Sequence, residues 1–149
     1  MDLNRYRFHA RWSVDADCQS TYAALRDLGS YSSWWPEVKS VIPLSATRAV
    51  VRIMGVLPYC LEFVLEQQID DPESGILRAS LVGDLQGWSS WRIEENSAGC
   101  GLTYEQEVVV NKRLLRALAP IARPVFRLNH VLMMLRGRRG LQRYLAAPR

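Results

Sequence analysis

The residues in this chain best suited to chemistry are rings and a few isolated polar groups, and together they suit contact with an apolar molecule. Trp34 and Trp35 stand beside Pro36, while Tyr59, Phe63, Trp91 and Tyr104 share the inward parity of alternating segments. Each ring has a broad apolar face, and an indole N–H or phenol O–H can hold one polar edge of a ligand. Taken singly, any of them serves as well as core. Asn129 falls on the apolar side of a helical pattern, where an amide needs a partner, either a strand backbone group or a ligand carbonyl or hydroxyl. Met133 lies one turn further on the same side. Arg52 interrupts the run Ala49, Val50, Val51, Ile53, Met54. With inward parity it is a cavity cation for a carbonyl or carboxylate; with outward parity it is a solvated surface charge.

Other chemistries lack residues. His9 sits on a basic strand face and His130 on the polar flank of the C-terminal pattern, so neither is expected to act as acid or base. There is no nucleophile elbow, no His-Glu-x-x-His, no phosphate-binding glycine loop and no paired-cysteine motif. No metal or cofactor is expected. Cys18, Cys60 and Cys100 are odd in number and widely spaced, and read as reduced bystanders.

The elements that must position these groups follow from hydrophobic period. Tyr6, Phe8, Ala10, Trp12 and Val14 alternate with Arg7, His9, Arg11 and Ser13, a strand with one wet face. Asp15 or Asp17 caps a short helix carrying Thr21, Tyr22, Leu25 and Leu28, stopped by Gly29. A turn of helix through Tyr31, Trp34 and Trp35 ends before Pro36. Six further strands are predicted at 38–44, 49–56, 59–69, 76–85, 88–95 and 102–110, with turn residues such as Asp70-Asp71-Pro72-Glu73-Ser74-Gly75 between them. Short connections imply an antiparallel meander with one apolar, ring-rich face.

Residues 112–145 supply its cover. Leu114, Leu118, Ile121, Val125, Leu128, Leu132 and Leu135 recur at spacings of four and three, one stripe on a helix, which is expected to face the sheet. Arg116, Arg123 and Arg127 fall on the opposite side and are expected in water. Pro120 and Pro124 predict a helix in two pieces, and Gly137 and Gly140 a loosened end. Charge is segregated: residues 111–149 hold ten Lys+Arg and no Asp or Glu, although the whole chain is only +4. The start Met1-Asp-Leu-Asn-Arg5 lacks a secretory apolar run and no stretch matches a membrane span, so a soluble cytoplasmic protein is expected. At 149 residues and 48% hydrophobic content, one domain over 1–149 is expected.

The order of elements, with Ser13-Val-Asp-Ala-Asp17, Leu25-Arg-Asp-Leu28, Tyr31 to Val38, Trp91-Arg-Ile-Glu94 and Gly99-Cys-Gly-Leu-Thr-Tyr104, resembles the START-like superfamily of polyketide cyclases, pollen-allergen relatives and lipid-transfer domains. The resemblance implies an α+β helix-grip fold: a seven-stranded curved antiparallel sheet around a long C-terminal helix, with a cavity between them. It implies a carrier of a hydrophobic small molecule held by Trp35, Phe63, Trp91, Tyr104, Asn129 and Met133. The alternatives are a polyketide cyclase or dehydratase in which Arg52, Tyr59 or Tyr104 assists enolisation or loss of water, and a module in weak contact with anionic membrane through Arg116, Arg123 and Arg127. No nucleic-acid partner is expected.

Overall fold

The computed structural model describes residues 4–55, 60–111, 113, 117 and 119–147, without the side chains of 119, 120 and 122. Alternation becomes seven strands: β1 (Arg5–Val14), β2 (Val38–Pro43), β3 (Arg48–Met54), β4 (Cys60–Asp71), β5 (Ile76–Gly83), β6 (Leu85–Asn96) and β7 (Gly99–Val110). They form one sheet in the order β1-β7-β6-β5-β4-β3-β2, antiparallel at every junction. Tight turns set the registers. Asp71 accepts hydrogen bonds from the Glu73 N–H and the Ser74 hydroxyl, and Asn96 accepts from the N–H groups of Ala98 and Gly99, so the polar turn residues close their own hairpins. Opposed inward pairs include Trp12 and Leu102, Trp91 and Tyr104, and Val51 and Phe63.

Between β1 and β2 the chain makes α1 (Cys18–Arg26), a 3-10 turn (Leu28–Ser30) and α2 (Tyr31–Trp34). Of the two aspartates able to cap α1, Asp17 does so, accepting from the Ser20 N–H at 2.7 Å and the Ser20 hydroxyl at 2.9 Å. Cys18, the first residue of that helix, is disulfide-bonded to Cys100 in β7, across 82 residues and a Cα separation of 5.1 Å. This corrects the reading of bystander thiols: spacing along the chain hid a pair that the pairing of β1 with β7 brings together, Val14 lying opposite Cys100.

The C-terminal helix, α3 (Ala119–Ala146), grips the concave face. Three sequence expectations fail here. From Ala119 on the helix runs unbroken through Pro124, whose exposed position puts the missing N–H on the wet side, so Pro124 makes no break; most of the segment before Pro120 lies outside the described residues. The 4-3 aliphatic stripe faces away from the sheet: Ile121 is 77% exposed and Leu128 59%. Phe126, Asn129, Met133, Met134, Gly137 and Leu141 face inward instead. Gly137 and Gly140 are not loosening points; a Cβ on Gly137 would lie 2.6 Å from Trp35 Cε2, and one on Gly140 would run into the Trp34 carbonyl. They let the helix backbone lie directly on the paired tryptophans. Leu114, Leu118 and Arg116 lie outside the described residues.

Reversal of the helix face moves the arginines with it. Arg123 sits 4.7 Å over the Tyr6 ring and donates to the Arg5 carbonyl at 3.0 Å, and Arg127 lies 5.7 Å from the same ring. Arg123 therefore covers the β1 edge, where the sequence reading had it on a free wet face, while Arg127 stays exposed as expected, within reach of the same ring.

Candidate functional site

A cavity of about 370 Å³ lies between the sheet and α3. Leu61, Phe63, Leu81, Trp91 and Val108 wall it from the strands, and Phe126 and Met133 from the helix. It opens between the end of α1, at Arg26, Asp27 and Gly29, and the exposed β2–β3 turn, Ser45 to Arg48. This position follows from curvature: a twisted sheet bends around a single helix, and helix side chains cannot reach every part of its concave face.

A ladder of rings backs one wall, with Trp35, Trp91 and Tyr104 lining it. Trp34 stacks on Trp35 at 5.4 Å, Trp35 meets Trp12 edge-on at 5.7 Å, Trp12 meets Trp91 at 4.9 Å, and Trp91 meets Tyr104 at 4.6 Å. The series continues through His130, whose imidazole stacks on Phe8 at 3.6 Å. Each contact adds about 1 kcal/mol beyond the area buried, so the ladder stiffens the wall it builds. The Trp35 N–H donates to the Met133 carbonyl at 2.9 Å, which ties α2 to α3 and leaves that ring only its apolar surface for a guest.

Polar groups are few. The Tyr104 hydroxyl donates to Gln106 Oε1 at 2.7 Å, and His130 Nε2 stands 3.4 Å from the same oxygen. The Asn129 amide lies 3.6 Å from Met133 Sδ and packs against Gly55, where an added Cβ would come within 2.8 Å of Asn129 Cγ. Tyr31 lines the wall and donates to the Leu25 carbonyl at 2.6 Å. Burial dominates the protonation of these groups. It lowers the His130 pKa to about 4, with Arg127 adding in the same direction, and raises the phenols of Tyr31 and Tyr104. At neutral pH this part of the cavity is therefore uncharged. It can donate and accept hydrogen bonds, and His130 is too weak a base to draw a proton from carbon unaided. Charge is found at the mouth, where Arg48 pairs with Glu66 at 3.1 Å and Arg26 with Asp70 at 2.6 Å.

The structure places Trp35, Phe63, Trp91, Tyr104, Asn129 and Met133 around this one cavity. It does not bring Arg52 there. Val51 and Ile53 point in, so Arg52 between them points out, exposed and 3.3 Å from Glu62 on β4. Tyr59 lies outside the described residues. Sequence reasoning missed His130, Gln106 and Tyr31. Gln106 was available from its shared parity with Tyr104, but His130 was assigned to the polar flank because the helix face had been chosen from the aliphatic stripe.

Among solved structures, the chain is similar in fold to the Zhui aromatase/cyclase from Streptomyces sp. R1128, with a TM-score of 0.75 and 14% identity over 95% of this chain and 93% of that one. A START superfamily protein from Mycobacterium smegmatis gives 0.71 and 13% over 95% and 96%. The di-domain aromatase/cyclase BexL of the BE-7585A biosynthetic pathway gives 0.72 and 14%; it is matched over 99% of this chain, which spans about half of that one, 52%. No curated protein matches in sequence. At these identities the likeness is one of fold, and the helix-grip architecture is common to all of them. A family described as polyketide cyclase/dehydrase and lipid transport matches residues 14–130, well over half of the 149, from the last residue of β1 through the ring ladder to His130. With sheet, gripping helix and the apolar-walled cavity between them in place, the chain belongs to the polyketide cyclase/dehydrase and lipid transport family.

Proposed function

We propose that this protein binds and carries a hydrophobic small molecule, a lipid or polyketide, between its sheet and α3. The cavity of about 370 Å³, ringed by aromatic and aliphatic side chains, is the observation that carries the reading. Its size falls in the range of small-molecule sites, and apolar walls with a few placed polar groups are the usual makeup of such sites. A guest would put its apolar body on Phe63, Trp91 and Met133 and one oxygen near Tyr104, Gln106 and His130. Native mass spectrometry of the purified protein tests this: an apolar molecule should co-purify at one per chain and be displaced by long-chain fatty acid. Ala79→Trp, which fills the cavity from the sheet side, should weaken that binding at least tenfold with the fold intact by circular dichroism. Failure of the wild-type protein to hold any apolar ligand would end the reading.

The Tyr104–Gln106–His130 cluster favours a second reading, a cyclase or dehydratase. Neutral donors at the wall would polarise a ligand carbonyl while the cavity holds a reactive chain folded, and positioning alone supplies much of such a rate. Turnover of a poly-β-keto thioester that falls at least tenfold in Tyr104→Phe, with ligand affinity unchanged, would favour enzyme over carrier. Among the described residues no helix is long and apolar enough to cross a membrane. A cytoplasmic location is consistent with this reading only with Cys18 and Cys100 reduced, because cytosolic glutathione keeps thiols reduced.

A further inference from the structure

The outward face of α3 is chemically unlike an ordinary solvated helix. Ile121, Val125, Leu128, Val131 and Leu135 are 77%, 43%, 59%, 53% and 46% exposed. All five recur at spacings of three or four, so they make one aliphatic strip along about 20 Å of helix. Beyond Leu135 the same face turns basic. Arg136, Arg139 and Arg143, all exposed, form an open cleft of about 500 Å³ with Ser32, Ser33 and Tyr144. Arg136 is anchored from below by buried Glu37 at 3.4 Å, which leaves Arg139 and Arg143 as the outermost cations of the cleft. Nothing in residues 111–149 is acidic.

From this face we infer a docking surface for an anionic phospholipid bilayer. The aliphatic strip would lie at the acyl boundary, and the arginine cleft would hold lipid phosphates, which match guanidinium geometry. A second copy seated on the same strip is a poorer occupant. It would bring two acid-free segments, each with ten basic residues, against one another with no carboxylate between them. An anionic bilayer supplies the apolar medium and the opposite charge at once. The inference is independent of what fills the cavity, since the strip points away from it.

Flotation of the full chain with vesicles tests the proposal. Phosphatidylcholine vesicles containing about 30% phosphatidylglycerol should bind it at least tenfold better than pure phosphatidylcholine in low salt, and about 0.5 M salt should weaken the binding severalfold by screening. Val125→Ser combined with Leu128→Ser should reduce binding at least tenfold at unchanged thermal stability, since both side chains are exposed. Arg139→Ser with Arg143→Ser should abolish the preference for anionic lipid. Ala79→Trp should bind vesicles as the wild type does; its loss of binding would mean that lipid enters the cavity instead, and would overturn the surface. Absence of binding at low salt, or no effect of either paired variant, would overturn it too. So would a dimer in sedimentation that the Val125/Leu128 variant dissolves.

Discussion

Acidification should destabilise this fold through His130, by an amount that one substitution removes. Burial, reinforced by Arg127, lowers the folded-state pKa from the ordinary 6.5 to about 4. Between these values the unfolded chain binds a proton that the folded chain refuses, so stability rises with pH across that window. The contribution of the neutral imidazole is complete above about pH 6.5 and is lost as the pH falls towards 4. At about 1.4 kcal/mol per pKa unit the whole loss is about 3 kcal/mol, and about 2 kcal/mol of it is reached by pH 5. In a domain of this size that lowers Tm by about 4–8 °C. His130→Phe keeps a ring on Phe8 and cannot titrate. Urea unfolding of both proteins at pH 7 and pH 5 isolates the effect, because Glu107, whose pKa is held down by hydrogen bonds from Arg7 and Arg5, stays ionised at both pH values, and the remaining carboxyl groups are common to the two proteins. The wild type should lose about 2 kcal/mol more than the variant between the two pH values. Equal losses would refute a neutral, buried His130.

Three other outcomes are expected. Gly137→Ala places a methyl 2.6 Å from Trp35 and 3.0 Å from Trp12, and should lower stability by about 1–3 kcal/mol with a changed near-ultraviolet spectrum. Reductant should shift the urea midpoint downward, since a bond closing 82 residues limits the unfolded chain by about 4 kcal/mol; an unmoved midpoint would mean that Cys18 and Cys100 are unpaired. Arg52→Ala should leave ligand affinity unchanged within twofold and stability within about 0.5 kcal/mol, because its partner Glu62 is also exposed.

The strands were legible in the sequence because side-chain alternation is local: Tyr6 through Val14 carries its own two faces whatever it later pairs with. The α1 cap, the helical turn before Pro36 and the existence of α3 were legible for the same reason. The inward aromatics came from parity alone, and Trp91 and Tyr104 lie opposite one another on β6 and β7. Where local period and tertiary demand diverged, the tertiary structure decided. A 4-3 aliphatic spacing proves a helix and marks one of its faces, but whether that face turns inward depends on what it meets. Here the inner face must lie on Trp34 and Trp35 and border a cavity, which calls for Gly137, Gly140, Met133 and Asn129, and the larger aliphatic strip is left outside. That choice placed His130 in the cavity wall and Arg123 over Tyr6. The long-range pairing of β1 with β7, which no local pattern records, joined Cys18 to Cys100, and the parity of a single strand residue sent Arg52 to the surface.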